Sequence, residues 1–365
     1  MSAWEIANQH LQSLVPYEPG KPVDDVAREL GLDPRTVVKL ASNENPLGPA
    51  PKARAAMQAC IENAHIYPDG GGYHLRSAIA RRNDLDRSNV VLGNGSNEII
   101  ELLYHGFTHP GESSVVASRY AFVVYKLMAQ LFNVEFVETP DQAFAHNLNA
   151  MYAAIRADSR LVFVASPNNP TGLRIPNSEL EAFIRSVPGH CLCVVDEAYY
   201  EFLDDPPASA GWVTEIPNLV VLRTFSKIQG LAALRIGYGL AHAEIAEVLQ
   251  RCRQPFNANA MSQLAALAGL DDMEHQDRTC QLTRTGRDDL EQWCSVQQLD
   301  YVPSQANFVL MKSGDADGIF QALLQKGIII RSMTSYGLPE WIRVSIGTPE
   351  QMTRFKAEME QLLKK

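Results

Sequence analysis

The sequence predicts an α/β protein, in which a mostly parallel sheet is flanked by helices and a smaller α+β domain is attached. From about residue 75, strand-like apolar segments alternate with helical segments. The strand-like segments are continuous apolar runs, such as LVVL at 219–222, and such runs are typical of strands buried on both faces. The 365 residues are enough for one large domain with a smaller one beside it.

The individual elements follow from this alternation. Strands are predicted at residues 89–92, 114–117, 161–165, 191–195 and 220–222, and a helix at 97–107. The intervals between the strands are long enough for helical crossovers, which parallel strands require. After about residue 256 the predicted strands are short and mixed, as at 307–311 and 342–345.

Three regions are therefore expected. Residues 1–45 form an N-terminal arm with one short helix at 24–30 and contribute to the small domain, 46–255 form the large domain, and 256–365 form the small C-terminal domain. The last helix begins at the capping box TPEQ, 348–351, with proline in its first turn. Its apolar stripe of Met352, Phe355, Met359 and Leu362 predicts core packing.

Composition excludes several classes of function. The chain is 46% hydrophobic and 20% charged, as in ordinary globular proteins, and its formal charge of −10 disfavours a nucleic-acid partner. The N-terminal segment lacks the pattern of a signal peptide, and no apolar run reaches membrane-spanning length. Six cysteines show no metal-type pairing, and Cys191 and Cys193 are expected in a strand core. A cytoplasmic protein without a metal site is expected.

Lys227 is the first candidate for chemistry. It lies just beyond the buried strand at 219–222, in the segment TFSKIQGLAALRIGYG. Most lysines are solvated surface residues, but open α/β sheets bind ligands where their strands end. A lysine held in such a crevice can have its pKa lowered and attack a carbonyl as the free amine.

Polar groups follow the other strands of the predicted sheet. The loop GNGSNE, 93–98, joins a strand to a helix and could hold an anion, although a turn without a ligand explains it equally well. In SPNNPTG, 166–172, Asn169 could donate to a ligand oxygen, although NNPTG is also a competent turn sequence. Asp196 ends an apolar strand, where an unpaired carboxylate is costly, and Tyr199 follows three residues later. Ser226 and Arg235 flank Lys227 and could grip a phosphate.

These groups converge at one edge of the sheet, which favours a shared ligand. Such a ligand carries an aldehyde for the lysine, a ring nitrogen for the carboxylate, a phenolic oxygen and a phosphate. Pyridoxal phosphate has all four, and a lysine with an acidic partner at the ring nitrogen is the usual protein contribution to that cofactor.

The motifs also resemble a known family. LASNENPLGP (40–49), SPNNPTG (166–172), VVDEAYYEF (194–202), RTFSKIQGLAALRIGY (223–238), PSQANFVL (303–310) and WIRVSIGTPE (341–350) are similar to segments of fold-type I pyridoxal-phosphate aminotransferases. Among these, the chain most resembles the histidinol-phosphate aminotransferase family, of class II, from residue 15 to its end. The resemblance implies a cytoplasmic transferase of amino-acid (histidine) biosynthesis.

The resemblance implies roles for the cofactor residues. Lys227 binds the cofactor covalently and then transfers the substrate proton, Asp196 keeps the ring nitrogen protonated, and Phe122 stacks on the ring. Tyr199 and Asn169 bind the phenolic oxygen. The groups implied to hold the phosphate are Gly95, Ser96, Asn97, Ser226 and Arg235.

It also implies residues for substrate and subunit contacts. Arg343 and Arg331 bind anionic substrate groups, while Tyr17 and Asn45 line the same pocket. Tyr67, in IYPDGGGY, reaches the phosphate of the neighbouring subunit, so a homodimer is expected.

The implied reaction moves an amino group between glutamate and imidazole-acetol phosphate, giving 2-oxoglutarate and histidinol phosphate. Gln229 and the loop GGGYHLR depart from the family pattern near expected substrate or subunit contacts. An aromatic amino acid (phenylalanine or tyrosine) aminotransferase is the main alternative, and a decarboxylase of a phosphorylated amino acid is another. A silent binding relative would lack the lysine, and a cofactor-free aldolase would leave Asp196 and Arg235 unexplained.

Overall fold

The computed structural model describes residues 1–16 and 20–364. The strands, in chain order, are β1 (Val38–Lys39), β2 (Val90–Gly93), β3 (Ser114–Ser118), β4 (Glu135–Thr139), β5 (Asp141–Gln142), β6 (Ala145–His146), β7 (Ser159–Ala165), β8 (Leu192–Asp196), β9 (Leu219–Thr224), β10 (Gly237–Ala241), β11 (Tyr301–Val302), β12 (Phe308–Lys312), β13 (Ile328–Ile329), β14 (Arg331–Ser332) and β15 (Trp341–Ser345).

The α-helices surround these strands. In chain order they are α1 (Ala3–Ile6), α2 (Val23–Leu30), α3 (Pro51–Cys60), α4 (Tyr73–Arg82), α5 (Ser96–Phe107), α6 (Val123–Leu131), α7 (Leu148–Ala153), α8 (Asn177–Ser186), α9 (Ser209–Trp212), α10 (Ala243–Cys252), α11 (Ala260–Leu270), α12 (Met273–Val296), α13 (Ala316–Gln325) and α14 (Pro349–Leu363). Short 3₁₀ turns lie at Gln9–Ser13, Pro34–Thr36, Ile61–Asn63, Arg87–Asn89, Tyr200–Phe202, Ala232–Leu234 and Thr334–Tyr336.

A seven-stranded sheet in the order β2-β10-β9-β8-β7-β3-β4 forms the centre of the molecule. The pairs from β9 to β4 are all parallel, and β10 is antiparallel to both of its neighbours. Consequently β2 runs in the same direction as β9, and the carboxyl ends of β2, β7, β8 and β9 reach the same edge. The predicted α/β class with a mostly parallel sheet is confirmed.

Each face of this sheet supports its own apolar layer. Along β7, Val162 and Val164 pack on one face, whereas Leu161 and Phe163 pack on the other. This alternation follows from the period of two in a strand, and burial on both faces explains the unbroken apolar runs in the sequence. Cys191 and Cys193 lie in the first of these layers, as predicted.

A second, antiparallel sheet in the order β11-β12-β15-β14 lies within residues 301–345. Its core includes the stripe predicted on α14, which begins at the predicted capping box. Strand β1, from the N-terminal part of the chain, pairs in parallel with β13. The antiparallel sheet, α14 and the β1–β13 pair form a smaller unit. The domain boundaries after residues 45 and 255 stay a prediction, although the contribution of the N-terminal segment to this smaller unit agrees with them.

Candidate active site

A cavity of about 270 Å³ lies at the carboxyl edge of the large sheet, where the smaller unit covers it. The walls of the cavity come from distant parts of the chain. They are the loop between β2 and α5, the ends of β7, β8 and β9, and the strands β14 and β15. The predicted site residues that line it are Ser96, Asn97, Phe122, Asn169, Asp196, Tyr199, Ser226, Lys227, Arg235, Arg331 and Arg343.

Lys227 follows β9 and reaches into this cavity, where its Nζ donates to the backbone oxygen of Ser42 at 3.2 Å. Burial and, to a smaller extent, the positive charge of Arg343 lower the pKa of Lys227 to about 8. Arg235 also lowers this pKa, but it contributes less than Arg343. The cause is physical: a cation loses hydration when it is buried, so the neutral amine is favoured. A neutral amine is the form that attacks an aldehyde.

Asp196 is the last residue of β8 and is buried. Its Oδ2 accepts the hydroxyl of Tyr125 at 2.7 Å, and its Oδ1 accepts the backbone N–H of Ala198 at 3.1 Å. Burial raises the pKa of Asp196, whereas these two donors oppose the rise because they stabilise the charged form. A carboxylate with lone pairs remaining in a buried cavity is suited to accept an N–H from a cationic ring.

Tyr199 and Asn169 present donors on another wall. The Tyr199 hydroxyl accepts Asn43 Nδ2 at 2.9 Å, and burial raises the pKa of Tyr199 to about 12. The phenol therefore keeps its own proton available for donation at neutral pH. Asn169 Oδ1 accepts a hydrogen bond from Arg343 Nη1, which leaves the Asn169 amide N–H groups as the donors that can face a ligand.

The loop before α5 provides an anion site. Gly95 has φ +80°, and a Cβ there would lie 2.5 Å from Arg235 Nη2, so only glycine lets the guanidinium approach this closely. Ser96 and Asn97 begin α5, and the first N–H groups of a helix have no partner within it. Ser226 and Arg235 close the opposite side of this end of the cavity. The combination favours a phosphate.

Arg343 and Arg331 come from the smaller sheet and lie directly opposite each other in the β14–β15 pairing. Arg343 is buried, and its Nη2 donates to the backbone oxygen of Ala41 at 2.7 Å. Opposite residues on neighbouring strands project to the same face, where like charges repel. An anion between two such arginines relieves this repulsion, so the pair is suited to bind one.

Not every predicted site residue lies in the cavity. Asn45 Nδ2 donates to the Ile228 backbone oxygen at 2.9 Å and to the Thr279 hydroxyl at 3.1 Å, and Asn45 does not line the cavity. Tyr67 is on the surface, 80% exposed, with its ring stacked on Phe256. Tyr17 lies outside the described residues.

Gln229, which departs from the family pattern, also lies away from the cavity. It is buried and packs against Gly269 of α11. Gln229 does not line the cavity, so it is not among the groups that would face a substrate there, and the expectation of a nearby subunit contact stays a prediction.

The sequence did not indicate several residues that the structure brings to the site. Tyr125, Thr224 and Tyr336 line the cavity, and Asn43 holds both Tyr199 and the hydroxyl of Ser345. One signal was present: Tyr125 is three residues after Phe122, a spacing that places two side chains on one face of a helix. An aromatic residue in an apolar helix is more often core, so the signal was weak.

The cavity fits pyridoxal phosphate by the chemistry of its donors. The anion site, the aromatic ring of Phe122, the buried carboxylate of Asp196 and the amine of Lys227 meet at one cavity, as this cofactor requires. The close approach of Arg235 to Gly95 further indicates a built anion site.

Comparisons with known proteins agree with this geometry. Residues 35–357 match the family described as aminotransferase class I and II. The chain belongs to this family. It is 46% identical over 364 residues to a histidinol-phosphate aminotransferase of Akkermansia muciniphila, with 100% of both chains covered. It is 45% identical to histidinol-phosphate aminotransferase 1 of Thiobacillus denitrificans, covering 98% of this chain and 93% of that one.

Solved structures show the same relationship. The histidinol-phosphate aminotransferase of Sinorhizobium meliloti, solved in complex with pyridoxal-5'-phosphate, superposes with a TM-score of 0.90 at 25% identity. That comparison covers 100% of this chain and 99% of the other. An aspartate aminotransferase of Thermus thermophilus with maleate has a TM-score of 0.83 at 21% identity, and covers 98% and 99% of the two chains. This second likeness concerns the fold alone.

Among the helices in the part of the chain that the structure describes, none combines the length and apolarity needed to cross a membrane.

Proposed function

We propose that this protein is a histidinol-phosphate aminotransferase that uses pyridoxal phosphate to move an amino group between glutamate or 2-oxoglutarate and the histidinol phosphate pair. The observation that carries the proposal is the pair of opposed arginines, Arg331 and Arg343, beside a buried lysine whose pKa is lowered to about 8. Arginines of this kind bind either a carboxylate or a phosphate. The two substrates differ in this group, because glutamate carries a carboxylate and histidinol phosphate carries a phosphate. The full-length relatives named above support the same activity.

When bound, pyridoxal phosphate withdraws electrons from the substrate Cα and carries the amino group between the two substrates. The residues of this chain bind and orient it. Asp196 would accept the ring N–H, and Tyr199 and Asn169 would donate to the phenolic oxygen. Phe122 would cover one face of the ring. The residues that would hold the phosphate are Gly95, Ser96 and Asn97 at the start of α5, with Ser226 and Arg235.

Lys227 would also transfer a proton. Its Nζ, as a neutral amine near the substrate, would take the proton from the substrate Cα as a base, and as the resulting ammonium it would donate that proton, as an acid, to the carbon on the other side of the amino nitrogen. Burial supports this role because it keeps the amine unprotonated near neutral pH. Arg343 and Arg331 orient the substrate through its anionic group. Lys227→Ala is expected to abolish transamination, and turnover like that of the wild type would overturn the assignment.

The test of substrate is a single half-reaction on purified, cofactor-loaded protein. Histidinol phosphate and phenylalanine are mixed with it separately, and the cofactor's absorbance reports conversion from the aldehyde to the amine form. We expect conversion with histidinol phosphate to be faster by about tenfold or more, because a charged hydrogen bond stabilises by roughly 1.5–3 kcal/mol. A preference for phenylalanine would favour an aromatic aminotransferase, and release of carbon dioxide would favour a decarboxylase.

Substitution of Arg343 and substitution of Arg235 should affect the binding of substrate and of cofactor differently. Arg343→Ala should raise the Kd for substrate far more than the Kd for pyridoxal phosphate, because the phosphate site of the cofactor lies at α5. Arg235→Ala is the matched comparison and should weaken the cofactor more than the substrate. Equal losses of both ligands in Arg343→Ala would show that its role is misassigned.

We also propose that the protein is a homodimer in which Tyr67 completes the neighbouring cofactor site. The support is a surface with exposed apolar residues on and beside the loop that carries Tyr67: Ile61, Ile66, Tyr67, Tyr73, Phe256 and Leu264. Such a concentration of exposed apolar side chains is typical of an interface. Tyr67 lies outside the cavity of its own chain, which agrees with a role in another.

The dimer is tested by its mass and by two matched variants. Sedimentation should give twice the mass of the chain. Tyr67→Phe should weaken pyridoxal phosphate binding about tenfold, because it removes one hydrogen bond to a charged phosphate, whereas Tyr73→Phe should not. A monomer with normal activity, or equal effects of the two variants, would contradict the proposal.

We place the protein in the cytoplasm. All six cysteines are free thiols, as expected in a reducing compartment.

A further inference from the structure

Tyr125 is a buried residue of α6 whose hydroxyl contacts the acidic group of the site. It donates to Asp196 Oδ2 at 2.7 Å, and the other carboxylate oxygen accepts the backbone N–H of Ala198. Asp196 therefore has one side-chain donor and one backbone donor among the described residues. A carboxylate offers about four acceptor positions, so lone pairs remain for a ligand.

The position of Tyr125 is fixed by contacts with three other aromatic residues. Its ring stacks on Phe163 of β7, with centroids 4.3 Å apart and planes 8° apart. It meets the edge of Phe122, with centroids 5.7 Å apart. Its backbone oxygen accepts the hydroxyl of Tyr104, from α5, at 2.7 Å. Because Phe163, Phe122 and Tyr104 all contact it, its hydroxyl stays directed at Asp196.

The direction of the hydrogen bond is also defined. Burial raises the pKa of Tyr125 well above its ordinary value, and the charge of Asp196 raises it further. The phenol thus keeps its proton and acts as the donor, and Asp196 as the acceptor. A donor of this kind favours the charged form of the carboxylate and opposes the effect of burial, which favours the neutral form.

Phe122 and Tyr125 both lie at the start of α6, but they have different roles in the site. Phe122 lines the cavity where the face of the cofactor ring would lie, and Tyr125 acts on the residue that holds the ring's edge. We infer that Tyr125 is a positioning residue for the cofactor: its hydroxyl keeps Asp196 ionised and oriented, so that Asp196 accepts the N–H of the ring nitrogen. The inference rests on the proposed cofactor site.

The test compares two phenylalanine substitutions. Tyr125→Phe and Tyr104→Phe each remove one buried hydroxyl, and both rings stack on Phe163. Only the first hydroxyl contacts Asp196. Two quantities are measured with ¹⁵N-labelled pyridoxal phosphate: its Kd for the apoenzyme, and the pH at which its ring nitrogen loses a proton, read from the nitrogen chemical shift.

Tyr125→Phe should weaken the cofactor by about tenfold or more and lower the pH of ring deprotonation by about one unit, as expected for a lost hydrogen bond to a charged group. Tyr104→Phe removes a hydrogen bond to the Tyr125 backbone but leaves the Tyr125 hydroxyl on Asp196, so it should change both quantities less than Tyr125→Phe does. Tyr125→His, which retains an N–H donor, should recover part of both effects and should also be tested if Tyr125→Phe does not fold. Equal values for all three variants would overturn the inference.

Asp196→Asn separates this inference from the assignment on which it depends. If Asp196→Asn loses both cofactor affinity and ring protonation while Tyr125→Phe retains them, the cofactor site is correct and the role of Tyr125 is wrong. If Asp196→Asn also leaves both unchanged, the placement of the cofactor itself is wrong.

Discussion

At the scale of single residues, the site depends on how burial changes ordinary side chains. Lys227 illustrates this, because its pKa of about 8 arises first from lost hydration and then from Arg343, while Glu44 opposes the change. The sequence predicted this lysine from its place after a strand. It could not predict that Arg343 has a larger effect on this pKa than Arg235, because Arg343 reaches the site only when the smaller unit packs on the large sheet.

The covalent loading of apoenzyme by pyridoxal phosphate should follow this titration. Below about pH 8 the protonated amine dominates, so the rate should fall about tenfold for each unit of pH. Arg343→Gln should move the midpoint to higher pH because a neighbouring cation is removed, and Glu44→Gln should move it to lower pH. The rate is measured by the absorbance of the attached cofactor.

Two results would contradict this account. One is a midpoint near the ordinary lysine value in the wild type. The other is a displacement of the midpoint in the same direction by both variants, since their charges are opposite.

Tyr125 and Asn43 show where prediction from sequence stops at this scale. Each acts through a hydrogen bond to another site residue, Tyr125 on Asp196 and Asn43 on Tyr199. Residues that line a strand end can be predicted from position, whereas these contacts depend on packing between distant elements.

At the scale of elements, the sequence indicated the strands β2, β3, β7, β8 and β9, but it indicated neither the antiparallel strand β10 nor the parallel edge strand β4. Runs such as LVFVA and LVVL are apolar throughout because both faces are buried, and they predicted β7 and β9 within about two residues. Strand β10, GYGLA, was not predicted because glycines weaken the strand pattern. Packing requires Gly237 there, since a Cβ would lie 2.5 Å from the backbone nitrogen of Ser96.

Gly237→Ala should therefore destabilise the protein and loosen the phosphate site together. We expect a loss of about 1–3 kcal/mol in the free energy of unfolding, typical of overpacking, and weaker binding of pyridoxal phosphate. Both follow because the start of α5 must move away from β10. Urea denaturation and cofactor titration measure the two effects.

Gly211→Ala in α9 is the control, since a Cβ there meets nothing within 4 Å. It should leave cofactor binding unchanged and stabilise the helix by up to about 1 kcal/mol. If Gly237→Ala matches this control in both measurements, the close packing of β10 on α5 is not what fixes the anion site.

At the scale of the whole molecule, a buried ionic cluster links the strands of the large sheet to its helices. Arg223 Nε of β9 pairs with Glu197 Oε2 at 2.8 Å, and Glu197 also accepts the hydroxyl of Ser209. Nearby, one carboxyl oxygen of Glu201 is buried without a hydrogen-bond partner within the described ranges. Burial raises the pKa of Glu201 to about 7, with Arg223 partly opposing this.

The free energy of unfolding should fall as pH rises from about 4.5 to about 7, because the folded state holds the Glu201 proton more tightly than the unfolded state across this window. Above about pH 7, Glu201 is ionised in the folded state, so the free energy of unfolding is reduced by the full cost of burying its charge. Glu201→Gln should consequently be more stable than the wild type at pH 8, by about 1–3 kcal/mol, and should gain nothing at pH 4.

Glu197→Gln is the matched comparison. It leaves Arg223 buried with its direct partner neutralised, so it should cost about 3–5 kcal/mol at pH 8. Urea denaturation of both variants at the two pH values measures these differences. A destabilised Glu201→Gln at pH 8 would show that this carboxylate is stabilising as an ion.

The two ends of the sequence lack the alternation of the central part, which led to the prediction that both contribute to one smaller domain, but the sequence did not predict strand β1. Strand β1 is only two residues long and pairs with β13, which lies far along the chain. Short strands with distant partners carry almost no local signal, because their pairing depends on the rest of the fold.

The pairing of β1 with β13 has a consequence for how the chain folds while it is being translated. The last strand of the large sheet ends at Ala241, so Lys227 and Asp196 can reach their places while the remainder of the chain is still on the ribosome. Arg331 and Arg343 are translated later, and β1 has no partner until β13 emerges. A nascent chain halted after the large sheet would thus expose the lysine without the arginines. The amine of such a chain would keep a higher pKa, since burial and Arg343 both act to lower it, so efficient loading of the cofactor must wait for the C-terminal strands.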